Sequence, residues 1–275
     1  MVDFKALLSD WHRPSAEAPW VVEGAPVQEA WWENPRQAEL HLLPQSAARF
    51  VVIHTEPSEQ EIPLRIRLDE GASLHLTHLF LAPVQVRVEI EQASQSHCEV
   101  IALQVASSEV AYHTMLNGAD AEACFDGAFV VMGQEQSEIR LRTEHNSPAC
   151  RSNSTVKGVA GGSATGHFEG MVYVAKDAQR SDAQQQSRNI LLSEQARITT
   201  LPQLEIYADD VRCSHGATVG QLDSEAVLYM RQRGLSEAQA RRLQIEGFVD
   251  EVVQRTPHAP LGEALVALIS QKLAQ

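Results

Sequence analysis

Between about residues 41 and 222 the apolar positions come in short runs rather than helical stripes. Segments such as LRIRLDEGASLHLTHLFLA, VQVRVEIEQ, CEVIALQVA and AFVVMG are rich in β-branched residues and alternate in part with period two. Gly, Ser, Asn and Asp break them up. They predict β-strands. No 3.6-residue apolar stripe crosses this region, which disfavours crossover helices and hence a doubly wound α/β sheet. After Gly220 the pattern changes. DSEAVLYMRQRG predicts a helix with Asp223 or Ser224 as N-cap and Gly234 as its stop. In SEAQARRLQIEGFVDEVVQ, Ser236 and Gln239 have the spacing of a capping box, and Pro260 precedes a third amphipathic segment, LGEALVALISQKLAQ.

Strands that follow one another without helices can close into a sandwich, a barrel or a β-helix. Cys98, Cys124 and Cys150 recur at an even interval, and one further equal step back reaches GASLHLTHLF at Gly71. A regular period in this range, with no tight Asn-Gly hairpins, favours stacked coils. The expected fold is therefore mainly β: a parallel β-helix over 41–222, a short N-terminal segment over 1–40 and a small C-terminal α-helical domain over 223–275. The three spaced cysteines are expected to stack as small buried hydrophobes inside the coils. The helical tail either caps the open end of the solenoid or docks a partner.

Composition narrows the function. Hydrophobic residues make up 44% of the 275, but aromatics only 5%, and all four tryptophans fall within the first 32 positions, so the remaining core must be aliphatic. A formal net charge of −14 with no basic run opposes binding to nucleic acid. No apolar stretch approaches the roughly 20 residues that span a bilayer, and MVDFKALLSDWHRP has no signal-peptide core, so a cytoplasmic location is expected. The cysteines show neither disulfide-framework nor zinc-ribbon spacing.

The chemistry gathers in EIYADDVRCSHGATVGQLD, residues 205–223, at the joint between strands and helices. If this is a strand, Cys213 and His215 point to one side because side chains alternate, and a thiolate and an imidazole there can reach one metal. Two ligands do not saturate iron or zinc, so the rest would come from another chain or a sulfide-bridged cluster. The alternative keeps Cys213 as a small buried hydrophobe and His215 as a hydrogen-bonding end to the sheet. Asp209 and Asp210 are expected to turn the backbone through local side-chain bonds. The glutamine run 184–186 is expected to be structural, with stacked amides along the coils. GVAGGSATG lacks the ending and the following helix of a phosphate-binding loop. His75 and His78 fall on opposite faces of a strand, the other histidines are scattered, and no nucleophile elbow or zinc-protease motif appears, so the chain reads as a non-enzyme.

Three stretches carry a family resemblance: HNSPACRSNSTVKGVAGGSATGHFEGMVYV, then SDAQQQSRNILLSEQARITTLPQLEIYADDVRCSHGATVGQLD, then EAVLYMRQRG with EGFVDEVV. Over about residues 145–253 the chain resembles the SufB/SufD family, scaffold subunits of the sulfur-mobilisation (SUF) system for iron-sulfur cluster assembly, and SufD more than SufB. The resemblance implies a right-handed parallel β-helix flanked by helices. It further implies SufB and SufC as partners: pairing with SufB at an edge carrying Cys213 and His215, and docking of the SufC ATPase by the C-terminal helices. No tightly bound cofactor is expected, only a transient iron-sulfur cluster at the SufB interface. Many members have a long N-terminal helical region, whereas here only the short segment 1–40 precedes the strands. The alternatives are a homodimer through the same edge without SufB and, more remotely, a β-helix enzyme acting on polysaccharide.

Overall fold

The computed structural model describes residues 2–15 and 18–274. Sixteen strands form two parallel eight-stranded sheets, and the chain passes from one to the other at every step. One sheet holds the even strands in spatial order: β2 (Gln28–Glu33), β4 (Ala47–His54), β6 (Ser73–Phe80), β8 (His97–Gln104), β10 (Glu122–Val131), β12 (Arg151–Ala160), β14 (Asp182–Leu191) and β16 (Arg212–Gly220). The other holds β1 (Trp20–Val22), β3 (Ala38–Leu42), β5 (Glu61–Leu68), β7 (Val84–Gln92), β9 (Ser108–Leu116), β11 (Gln136–His145), β13 (Thr165–Val174) and β15 (Arg197–Ile206). This is a two-sheeted parallel β-helix, one strand per sheet per coil. Helix α1 (Phe4–Leu7) precedes it, and α2 (Ser224–Gln232), α3 (Glu237–Val253) and α4 (Ala259–Leu273) follow. The pairing begins at Trp20, ahead of the residue-41 boundary drawn from sequence.

The two sheets read differently because their outer faces do. In β5, EIPLRIRL alternates exposed and buried without a break, as a strand with one wet face must. In β4, β6 and β8 the last five residues are buried in succession. Their inward residues, such as Phe50, Leu76 and Val100, fill the solenoid, while Val51, Ile53, Leu79, Ile101 and Leu103 pack outward under the helices.

The repeat is not the one the cysteines suggest. Ser73 pairs with His97, His97 with Glu122, Glu122 with Arg151, Arg151 with Asp182 and Asp182 with Arg212, so the later coils are longer than the early ones and share no single period. Cys98 consequently sits inside beside Ala123, Cys124 lies on the outer face between Glu99 and Asn153, and Cys150 occupies a corner next to Leu116 and Ala121. They do not stack. Burial pushes the Cys98 thiol up to about 12 and that of Cys124 up to about 11, so both stay protonated at neutral pH. What recurs is a left-handed corner just before each even strand from β4 to β14, at Gln45, Gly71, Gln95, Asp120, Ala149 and Arg180, with φ between 57° and 66°. The N–H of each corner residue donates to a carbonyl of the next coil, from Gln45 to Glu70 through to Arg180 to Asp210, giving a ladder along one edge.

The helical tail does not cap the solenoid's end. It lies along the outer face of the even sheet, where Val249, Val252, Leu261, Leu265 and Ile269 are buried against Ile101, Ala128, Val130 and Val159. Each such side chain contributes about 1.5–3 kcal/mol on burial. Cations fix its position. Arg255 pairs with Asp126 at 2.7 Å, and Lys272 reaches Glu135 and the Val105 carbonyl. Lys157, 2% exposed, points out of β12 under α3 and is satisfied by Glu251, the Phe248 carbonyl and the Phe248 ring. The caps form as the sequence predicts: Asp223 accepts from Glu225 and Ala226, Ser236 and Gln239 close a capping box, and Gly234 takes φ +96°.

Candidate functional site: the open last coil

Strands β15 and β16 end the two sheets, each paired on one side only. They run to 10 and 9 residues, and most of their side chains are exposed, Leu201, Ile206 and Val219 among them, with Tyr207 just beyond β15. A long, flat edge with apolar side chains is a template for another chain.

Cys213 and His215 lie on this edge. Parallel pairing places Cys213 opposite Ala183 and His215 opposite Gln185. Both Ala183 and Gln185 face the interior, so Cys213 and His215 line the mouth of the solenoid on one side, as their spacing predicts. Cys213 is half-buried against Val172, Val174, Ala183 and Ala208, and His215 is exposed. Burial raises the Cys213 thiol above its ordinary range, with Asp182 adding to this and the Ala183 backbone opposing it. A protonated thiol is a poor ligand, so capture of a metal there releases a proton.

Behind this pair the lumen turns polar. The inward positions of β14 are Ala183, Gln185, Ser187 and Asn189, all buried, and Ser152 and Ser154 precede them on β12. Gln185 Oε1 and Asn189 Oδ1 have no hydrogen-bond partner among the described residues. Gly170 makes room for this: a Cβ there would stand 1.8 Å from Gln185 Nε2. The glutamine run thus lies in β14 with Gln185 turned inward and its neighbours outward. Asp210 serves the corner through its backbone, its N–H donating to Gln179 Oε1 at 2.9 Å, rather than through its carboxylate.

A second polar chain was not legible in sequence. Deep between the sheets His54 Nε2 meets His78 Nε2 at 2.9 Å, and His78 Nδ1 meets the Tyr112 hydroxyl at 2.8 Å. Burial holds His54 down to about 4 and His78 well below its usual range, and His145, bonded to Ser152, is likewise lowered to about 4. His75 lies on the outer face and His78 inside, as three-residue spacing requires.

Helix α2 offers a further surface. It buries none of its residues, and Leu228, Tyr229 and, on α3, Leu243 are 54, 56 and 46% exposed. A groove lined by Leu192, Leu222, Val227 and Arg241 separates it from the β body.

The last coil thus leaves one end of the β-helix unpaired, with a thiol and an imidazole at its mouth and an unburied helix beside it. The profile of the SUF system FeS cluster assembly SufBD core domain matches residues 42–248, and the chain belongs to that family. It is 35% identical over 160 residues to the iron-sulfur cluster assembly protein SufD of Escherichia coli, covering 58% of this chain and 38% of that protein. A SufBD family iron-sulfur cluster assembly protein of Synechocystis is 32% identical over 79% of this chain and 47% of its own length. Bacillus subtilis SufD is 33% identical over 54% and 34%. The matches thus cover less than half of each of these relatives. No helix among the described residues is long and apolar enough to cross a membrane.

Proposed function

We propose that the protein is a noncatalytic, cytoplasmic scaffold subunit of iron-sulfur cluster assembly that pairs through its last coil with SufB. The observation that carries this reading is the open edge of β15 and β16 with Cys213 and His215 on its inward side. Two donors make half a site, and a partner edge completes it. Iron and sulfide are cargo in this scheme, held transiently at the joint. The chain's own part is to present the thiol and the imidazole on a rigid strand, with Ala183 and Gln185 behind them. The unburied α2 and the groove beside it fit docking of the SufC ATPase, whose motion would reach the joint through the tail that Lys157, Arg255 and Lys272 fix to the even sheet.

The test is anaerobic co-purification of the tagged chain with SufB and SufC, read by native mass and by iron and sulfide content. A three-component complex is expected, and His215→Ala should keep the complex but lose the cluster. Normal cluster content in that variant removes the histidine from the scheme. The same edge is also free to meet a second copy of itself, so a homodimer that persists when SufB is present favours the self-associating reading instead.

A further inference from the structure

Across the outer face of the odd sheet, Glu109 of β9, Glu138 of β11 and His167 of β13 lie side by side in register, and Glu169 follows His167 on the same face. Strand pairing fixes these positions. One donor atom each from Glu138, His167 and Glu169 lie within 4.8 Å of one another, and among the described residues this is the one group of three His, Cys, Asp or Glu donors that converges so closely.

The spacing is informative. His167 Nε2 stands 3.7 Å from Glu138 Oε1, too long for a hydrogen bond. Two donors sharing one tetrahedral ion at about 2.0–2.1 Å are ~3.4 Å apart. By contrast, His41–Asp69 and His75–Glu99 close to 2.9 and 2.8 Å with no room for an ion, and His97–Glu122, at 3.5 Å, has no third donor converging on it among the described residues. A second observation points the same way. Two of the three donors, Glu138 and His167, border a groove across the odd sheet whose walls also include Glu109, Gln136, Arg197 and Thr199. All three donor residues are half-buried, within reach of an ion from solvent.

We propose that Glu138, His167 and Glu169 form a binding site for a first-row divalent cation of the zinc or ferrous class, with the remaining positions open to water in the groove. One imidazole and two carboxylates suit such borderline ions. Unlike Cys213 and His215, the triad lies wholly within one chain, so it loads without a partner. Arg140 competes: its Nε and Nη2 each lie 2.7 Å from a Glu138 oxygen. An ion must displace part of that pair, which weakens the site.

The competition supplies a diagnostic. The tag-free, metal-depleted chain carrying Cys213→Ala and His215→Ala is titrated with Zn2+ by calorimetry and with Co2+ by visible absorption, with circular dichroism checking the fold of each variant. One equivalent per chain is expected to remain in this background. Loss of a residue that merely orients a metal ligand already costs about 10–100-fold in affinity, so His167→Ala should weaken binding at least about tenfold. Arg140→Ala should tighten it, which a purely structural ion-pair ladder does not predict. No binding, binding unchanged by His167→Ala, or weaker binding in Arg140→Ala overturns the proposal. Should His167→Ala unfold, His167→Gln carries the same comparison. Because the background lacks Cys213 and His215, the result is independent of the cluster-assembly reading.

Discussion

The two ends of the solenoid use the same parallel pairing, yet they are finished in opposite ways. At the first coil the edge strand β1 has three residues, and Trp20 stacks on Phe50 at 5.1 Å while Trp32 meets the same ring edge-on at 4.4 Å. Trp11 and Trp31 are buried, and the backbone of His12 bridges to Ala30, so even the edge of β2 is partly occupied. At the last coil the strands are long, apolar side chains are exposed, and β14 lines its side of the lumen with Gln185, Ser187 and Asn189. Trp20 and Trp32 seal the first coil from inside, while Trp11 and Trp31 pack on its outer face with the helical tail. Aromatic packing at the first end adds buried area, whereas the long edge strands of the last leave unpaired backbone groups that another chain could extend.

That contrast can be broken by mutation. The largest effect is expected at the closed end: Phe50→Ala removes the ring shared by Trp20 and Trp32 and should cost about 3–5 kcal/mol in chemical denaturation. Next comes acid. His54 and His145 hold pKa values of about 4 in the fold, below the ordinary 6.5, so between these values the unfolded chain binds more protons and stability falls with falling pH. The contribution is present above pH 6.5 and should have dropped by about 2 kcal/mol per histidine at pH 5. A flat denaturation midpoint between pH 7 and 5 contradicts the buried neutral histidines.

At the open end the same measurements should hardly move. Val219→Asp and His215→Ala alter exposed side chains and should shift stability by no more than about 0.5 kcal/mol. The first should abolish pairing with SufB in native mass measurements, and the second should cost cluster alone. Leu228→Asp on α2 is the smallest expected perturbation of the fold, since that helix buries nothing, and its effect should appear only as weaker retention of SufC. A large loss of stability from any of the three would place the last coil or α2 among the parts that hold the fold together and erase the contrast.

Much of this architecture was legible from residues. Alternation in EIPLRIRL and continuous apolar runs such as FVVI show strands with one and two covered faces, and Asp223, Ser236 and Gly234 mark the helix ends. The repeat was not, because the corner that defines it takes Gln, Gly, Gln, Asp, Ala and Arg, and the coils lengthen along the chain. Evenly spaced cysteines were the louder and misleading signal. The tail's position was hidden too, since Lys157 is a single charge in VKGVA that nothing in sequence distinguishes from a surface lysine. The spacing of Cys213 and His215 implied their common face, but the polar lumen behind them depends on which residue of the glutamine run turns inward. Register decides that.

Hydrogen exchange tests the central claim most directly, with amide deuterium uptake compared between the chain alone and the chain mixed with SufB. Protection gained in Arg197–Ile206 and Arg212–Gly220, with none in Trp20–Val22 or Gln28–Glu33, is the predicted result. Protection at the tryptophan end, or unchanged exchange in the last coil of a mixture that native mass shows to be a complex, would contradict it.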